Sequence, residues 1–437
     1  MSKRIQLACV RGLLGLAIAG LAIATSLPAN ATTTSDDPAA ILMYPKIVVD
    51  TSGVWGPPTD TLVTMTSHPT ENQLKQAHCY YINATGFCAD NEDAQCRTSS
   101  DCEGPVPCVP NWVATDFNVY ITPDQALAWY ASEGLRRGQF PLEGPGFCTF
   151  PNGTKGNQCF GPFGCGANSV CVIGTEDGLN NLGSSIPPVN DDPFIGSLTC
   201  IQFDPTQNPP VPDRTASTNS LTGDASIIAL DTNTAKAVDV AKYNAVGVRA
   251  LEGSDTNGVL LLGGEAPEYE GCSNVLIMDH FFDNATDPMT VGSGTNSENG
   301  VFTTELTLIP CGNNFARIEP GRVVAQMLVF NEFEQRFSTS ALVDCLYNKR
   351  ISNIDTPNSN RSIFSAGVSG TIAGQTRIQG AGSADTGNGL AGVVQLFVET
   401  AIEGEDPRCL GEGLCSSAAY SLDGTGSIAG GSTITIP

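Results

Sequence analysis

Short runs of alternating apolar and polar residues recur along the chain. Asp60–Thr66 (DTLVTMT), Phe117–Ile121 (FNVYI), Val301–Ile309 (VFTTELTLI) and Arg322–Phe330 (RVVAQMLVF) step between the two classes with a period near two. That period sends neighbouring side chains to opposite faces of a sheet. The runs are rich in β-branched and aromatic residues and end at Gly, Pro, Asn or Asp, as half-buried strands between turns do. One segment reads two ways. Thr122-Pro123-Asp124-Gln125 has the form of a capping box with Pro in the first turn, ahead of Ala126–Ser132 and a Gly134 stop. It also reads as a turn into a return strand, Ala126–Tyr130, in which Leu127 and Trp129 alternate. The strand is preferred because it follows another strand directly.

Residues 60–86 and 304–334 share a layout. Each has an alternating strand, a polar turn and a longer strand, ending at Tyr81-Ile82-Asn83 in one and Phe330-Asn331 in the other. Both read as a hairpin with one buried face, and so as equivalent hairpins of two β-sandwiches. In the Gly-rich tail, Val368, Ile372, Thr376 and Ile378 are expected on one face, with Val393–Val398 and Thr433–Ile436 as late strands. The predicted fold is all-β: two immunoglobulin-like β-sandwich domains with small disulfide-rich knots inserted, and less than about 15% helix. The first sandwich spans 42–145 and carries a four-Cys knot at 88–108. A second four-Cys knot spans 146–180, a linker spans 181–194 around Ile186-Pro187-Pro188, and the second sandwich spans 195–437.

The first 31 residues are read as a secretory signal peptide. Lys3, Arg4 and Arg11 supply positive charge, Leu13–Ala24 is an apolar run of twelve, and Ala29-Asn30-Ala31 is a small-x-small cleavage site. No later stretch approaches the ~18 apolar residues of a membrane helix, so the expectation is export without membrane insertion. The predicted location is extracellular, at a cell surface or in a periplasm. Of 437 residues, 41% are hydrophobic and 15% charged, with 47 Gly and 28 Pro. This is turn-rich but leaves ample core, which excludes collagen, coiled coil and intrinsic disorder. A net charge of −24 argues against nucleic acid and anionic membrane as partners.

The 16 cysteines include Cys9 in the signal; the remainder form a disulfide framework expected of an exported chain. Cys88, Cys96, Cys102 and Cys108 make one cluster, and Cys148, Cys159, Cys165 and Cys171 make another. Both read Gly-Phe-Cys, a variable gap, then C-x5-C-x5-C-Val, an internal repeat. The spacing is too open for a zinc knuckle and neither cluster holds a His. Each unit is too small to bury a core, so two bridges within each cluster are expected, in any of three connectivities. Cys409 and Cys415 flank a Gly-bearing turn and are expected to pair. Cys79 and Cys200 lie in strand-like runs and are expected to bridge two strands. Cys272, Cys311 and Cys345 form an odd trio with one unpaired member, which the sequence does not identify.

No catalytic residue is assigned. The three histidines, His68, His78 and His280, share no metal-site spacing, and G-x-S-x-G, P-loop and dinucleotide fingerprints are absent. A Ser-His-Asp site on His280 (Asp279-His280-Phe281-Phe282-Asp283) is weaker than the reading of His280 as an ordinary side chain. Paired carboxylates of a glycosidase cannot be read from chain spacing. Glu265, Glu268 and Glu270 form the densest acidic loop, either solvated surface or a calcium site; no other cofactor is expected. Asp255, Asn257 and Asn190-Asp191-Asp192 are weaker candidates. Trp55, Trp112 and Trp129 read as core residues first and sugar-stacking platforms second. Asn83, Asn152, Asn284 and Asn360 begin glycosylation sequons.

The short strands with turns about every ten residues resemble immunoglobulin-like adhesion and surface modules, without the Cys-Trp-Cys core of antibody domains. The four-Cys units resemble EGF-like or dickkopf-like knots. The whole is similar to secreted, Cys-bearing β-sandwich surface proteins of Gram-negative bacteria. These resemblances imply a secreted structural or adhesive binding module without catalytic activity, whose partner is a protein or polysaccharide on a surface. The second expectation is a secreted carbohydrate-active enzyme or carbohydrate-binding protein.

Overall fold

A computed structural model describes residues 37–68, 75–96, 102, 106, 108–110, 112–121, 126–135, 146–149, 155–159, 170–173, 186–204, 211–212, 218–231, 237–251, 257–264, 266–285, 301–382, 387–399, 415–424 and 431–437. The expected signal peptide, residues 1–31, lies outside them. The fold is all-β. Among the described residues the one α-helix, α1 (Ala366–Ser369), is a single turn closed by Gly370 in the left-handed region. None of the described helices is long and apolar enough to cross a membrane.

The first sandwich has two facing sheets. One runs β16 (Val246–Val248), β1 (Ile41–Val49), β12 (Phe194–Asp204), β3 (Lys75–Asn83) and β7 (Val113–Ile121), with β13 (Val211–Pro212) on the end of β12. The other runs β15 (Ala237–Asn244), β14 (Leu221–Leu230), β2 (Thr59–Ser67) and β8 (Ala126–Tyr130). Ala126–Tyr130 is thus a strand, with Leu127 and Trp129 turned inward. Between the sheets lie Leu42, Tyr44, Ile47, Met65, Trp129, Leu198 and Tyr243. Trp129 is core, and its indole N–H donates to the Tyr81 hydroxyl at 2.6 Å.

The strand pairing moves the boundary expected at 194. β12, β14, β15 and β16 all follow that point and all belong to the first sandwich. Ile186 pairs with Leu135, and the Val189 N–H bonds the Ala131 carbonyl, so this part of the expected linker packs on the first sandwich. The reason lies in composition. Phe194–Phe203 carries apolar residues on both faces and is buried throughout, Ser197, Thr199 and Gln202 included, and a strand buried on both faces needs neighbours on each edge and a layer on each side.

The second sandwich faces sheet β22 (Arg336–Asp344), β21 (Arg322–Asn331), β24 (Ala373–Gly382), β18 (Val275–Phe281) and β27 (Asp423–Gly424) against sheet β23 (Tyr347–Arg350), β19 (Val301–Pro310), β25 (Leu390–Glu399) and β26 (Cys415–Ser421). Its core includes Met278, Leu306, Leu308, Val323, Met327, Phe364 and Ile378. Thr376 and Ile378 face inward, but Val368 lies in α1 rather than on the expected strand face. The left-handed turn at Gly370 separates the two.

A small sheet of β17 (Val259–Leu262), β28 (Ser432–Thr435) and β20 (Asn313–Asn314) completes a third core. There the outer faces of β1, β3, β12 and β16 (Ile41, Met43, Tyr80, Ile201, Val248) meet Leu260, Tyr269, Phe315 and Ile434. Tyr80 stacks on Phe315 with centroids 4.0 Å apart.

The shared layout of 60–86 and 304–334 is real but is not a hairpin. β2 and β3 lie in facing sheets of the first sandwich, and β19 and β21 in facing sheets of the second. Each pair is an arch across a core. The connecting segments are longer than the two- to five-residue loops that hold adjacent strands in register, and both members have an apolar face to bury from opposite sides.

The first knot is a three-stranded sheet, β5 (Asn91–Cys96), β4 (Gly86–Cys88) and β6 (Cys108–Pro110). It is closed by Cys88–Cys102 and Cys96–Cys108. A Cβ on Gly86 would sit 2.6 Å from the Cys108 sulfur, so the Gly of Gly-Phe-Cys is a steric requirement. β10 (Lys155–Cys159), β9 (Gly146–Thr149) and β11 (Val170–Ile173) repeat the arrangement. Cys148 faces Cys171 as Cys88 faces Cys108, and Gly146 faces Cys159 as Gly86 faces Cys96. The bridges expected for Cys148, Cys159, Cys165 and Cys171, and the pair Cys409 and Cys415, lie outside the described side chains. Cys79 and Cys200 are disulfide-bonded as direct partners on β3 and β12. Cys272 is bonded to Cys311, and Cys345 is the buried free thiol among the described residues. Burial pushes that thiol's pKa up, keeping it protonated and unreactive.

Candidate functional site

The outer face of the β22-β21-β24-β18 sheet is where the fold presents convergent polar groups to solvent. β21 alternates strictly between exposed and buried along its first half, and β24 does the same from Gln375 to Gly380. Direct cross-strand partners therefore share the open face in rows. Ser340, Gln326 and Gln379 form one row, and Ser338, Leu328, Arg377 and Ile277 the next. Arg336, Phe330, Gln375 and Asp279 form the third.

Two concavities lie on these rows. One, of about 670 Å³, is lined by Gln326, Leu328, Ser338, Ser340, Arg377 and Gln379. It holds a guanidinium, amides and hydroxyls, and no carboxylate, in a chain with 45 acidic and 21 basic residues. The other, of about 740 Å³, adds aromatic surface from Phe281, Phe330 and Tyr420 beside Asp279, Glu332 and Gln375. Gln375 donates to the Asp279 carboxylate at 2.8 Å, and the Tyr420 hydroxyl donates to the Asp279 carbonyl oxygen. The Arg336 guanidinium lies 5.7 Å from the Phe330 ring centre. These contacts fix the orientation of the groups that line the cleft.

His280 lies on the other side of the same strand, in the core. Its Nδ1 is 3.2 Å from the Phe281 carbonyl oxygen and its Nε2 is 2.9 Å from Thr376 Oγ1. A carbonyl only accepts, so Nδ1 carries the proton and Nε2 accepts from the Thr376 hydroxyl. Burial pushes its pKa down to about 4, so the ring is neutral at neutral pH. With both nitrogens engaged, His280 is a structural residue. Asp283 is fully buried and accepts from Arg350 Nε at 3.0 Å and from the backbone N–H groups of Thr304 and Ser352. Burial raises its pKa while Arg350 opposes the rise.

The other expected candidates are scattered. His68 bonds Thr222, and His78 bonds Asp116 and stacks on Tyr80. Glu268 accepts the Leu261 N–H at 3.0 Å. Glu270 is partly buried, which raises its pKa against the lowering effect of Arg249. Glu265 lies outside the described residues. Three metal-capable side chains gather within the described residues only at Cys88, Cys96 and Cys102, whose sulfurs are in disulfides. Asp191 accepts from the Asn83 amide and Asp192 from the Thr51 N–H. Asn83 itself is buried with both ends of its amide engaged, so its sequon is inaccessible in the folded state.

The residues of the open face carry no motif. Their only sequence signal is the alternation of Arg322–Phe330, whose polar positions mark one side of a strand without saying what lies beside them.

No protein-family model matches the chain, and no curated protein matches it either. Among solved structures it is similar to CfaE, the adhesive subunit of CFA/I fimbria of enterotoxigenic Escherichia coli. The identity is 8%, with 88% of this chain and 87% of that chain covered, at a TM-score of 0.12. A mutant of the same adhesin is similar at 9% identity, with 92% and 94% covered and a TM-score of 0.09. A likeness at these TM-scores carries no argument about this chain.

Proposed function

We propose that the chain is a secreted adhesive binding module and that the open face of the second sandwich receives a polysaccharide on a surface. One observation carries this reading. Arg377, Gln326, Gln379, Ser338 and Ser340 converge on one solvent-open concavity that adjoins the aromatic cleft at Phe330 and Tyr420. Amides, hydroxyls and a guanidinium match sugar hydroxyls and ring substituents, and aromatic faces match the C–H faces of sugar rings. Successive rows on one face are about 7 Å apart along the strands, close to the reach of one sugar unit. A linear glycan lying along the strands would meet the guanidinium and then the aromatic groups.

The test is binding of the whole chain to immobilised β-glucan, hyaluronate and heparin. Combined Arg377→Ala, Gln326→Ala and Gln379→Ala should weaken binding at least about tenfold, because several hydrogen bonds are lost at once. Binding unchanged in that variant would remove this face from the account. Binding to none of the three polysaccharides would leave a protein partner. A carbohydrate-active enzyme is the second reading, because Asp279 and Glu332 line one cleft. Loss of reducing-sugar release in Asp279→Asn would favour it.

A further inference from the structure

Lys46 lies on β1 where the register with β12 shifts between Tyr44 and Ile47. Such a bulge re-aims a side chain. The Lys46 side chain is 3% exposed and leaves the first sandwich to enter the second. There it meets two residues that are direct cross-strand partners, Glu305 on β19 and Gln395 on β25. Nζ lies 2.8 Å from Gln395 Oε1 and within hydrogen-bond contact of the Glu305 carboxylate. Gln395 Nε2 donates to Ser417 Oγ at 3.2 Å, which fixes the amide with its carbonyl oxygen toward Lys46. The Tyr243 hydroxyl bonds both the N–H and the carbonyl of Lys46, so the backbone is held as well.

A buried amine, an oriented side-chain amide and a carboxylate in contact with the amine are the components of an acyl transfer. We propose that Lys46 and Gln395 form an intramolecular amide cross-link, with Glu305 as the proton carrier. The carboxylate of Glu305 takes a proton from the Lys46 ammonium, and the neutral amine attacks Cδ of Gln395. The Nζ–Cδ bond forms and the Cδ–Nε2 bond breaks. The amine's second proton and the one held by Glu305 pass to the departing nitrogen, which leaves as ammonium, and the carboxylate is regenerated. No oxidant or external reactant enters. The step replaces a cation buried to 3% exposure by a neutral amide, and the carboxylate it leaves behind, Glu305, is the more exposed partner at 23% and can be solvated. It ties β1 of one sandwich to β25 of the other across 349 residues of sequence, so it forms only after the chain has folded.

The test is mass spectrometry of the purified whole chain after reduction. The expected mass is one ammonia below that of the sequence, and a digest should yield a branched peptide joining the Lys46 and Gln395 segments. Asn-Gly steps such as Asn388-Gly389 lose the same mass on forming a succinimide, so the branched peptide decides. Glu305→Gln keeps both linked residues and should restore two linear peptides at full mass. On a denaturing, reducing gel the wild type should migrate ahead of Lys46→Arg, because the cross-link closes a long loop. Linear, full-mass Lys46 and Gln395 peptides from folded wild-type protein would overturn the proposal, whatever the variants do.

Discussion

β12 and β21 are strands of similar length in sheets of similar size, and they meet opposite fates. FIGSLTCIQFD carries apolar residues on both of its faces and is covered on both, by the first sandwich core and by the third core around Phe315 and Ile434. RVVAQMLVFN alternates, buries one face against Phe364 and Ile378, and shows Gln326 and Leu328 to solvent. The difference lies in the sequence of each strand. A strand with apolar residues on both faces must be interior, and interior strands fix how units join. A strand with one polar face leaves that face for other work.

The largest effect should come from the doubly covered sheet. Tyr80 stacks on Phe315, is buried and faces the third core. Tyr80→Ala should cost about 3–5 kcal/mol, the usual range for deleting a buried aromatic group. Leu328→Ser on the open face should change stability by about 0.5 kcal/mol or less. Urea titrations of the two variants check the contrast. Equal losses would mean that the second sheet is covered after all.

The next effect probes the inner side of the open sheet. Burial pushes the His280 pKa down from 6.5 to about 4. Between those values the unfolded chain binds a proton that the folded chain does not, so stability is lost as pH falls through that window. The loss integrates to about 3 kcal/mol. His280→Gln keeps an acceptor near Thr376 and has no proton to gain, so this component of the acid dependence should vanish. Denaturant melts at intervals across the window measure it. A wild-type and variant with parallel pH profiles would show that His280 is solvated.

These two strands also show what the sequence discloses. Alternation in Arg322–Phe330 and Asp60–Thr66 was enough to identify strands and their inner faces. It could not say that β2 and β3 sit in facing sheets, because a period of two is blind to which neighbour a strand takes. The run around Cys200 read as a strand, but its membership in the first sandwich depends on contacts with residues more than a hundred positions earlier. The repeated Gly-Phe-Cys units were legible because a small sheet built around a disulfide leaves no room beside Gly86. The open face was not legible as a site. Gln326, Arg377 and Ser340 come from three strands and become neighbours only through register. Lys46 was hidden for a similar reason, since a bulge breaks the alternation that would have placed it.

A smaller effect sharpens the contrast at the surface. Val324 and Leu342 are exposed cross-strand partners on the open sheet. Val324→Thr with Leu342→Thr keeps strand propensity and should alter stability by about 0.5 kcal/mol or less. If glycan binding also stays unchanged, the binding strip ends at the row of Gln326. A fall in affinity would extend it by one row.

The smallest expected effect is that of calcium on the acidic loop beside the third core. Calcium takes six to eight oxygen ligands, which requires carboxylates free to turn toward one point. Glu268 already accepts the Leu261 N–H at 3.0 Å and so supports the end of β17. Burial raises the pKa of Glu270, and Arg249, itself 3.7 Å from Asp37, is the charge that counters it. Glu268 would have to give up that hydrogen bond, and Glu270 its attraction to Arg249, to bind an ion. Melting curves in millimolar calcium and in chelator should therefore coincide. A site occupied at a hundredfold excess over its dissociation constant would instead add about 2.7 kcal/mol and raise Tm visibly. If the curves separate, Glu268→Gln should bring them together again, and the loop would be a ligand set rather than a brace for β17.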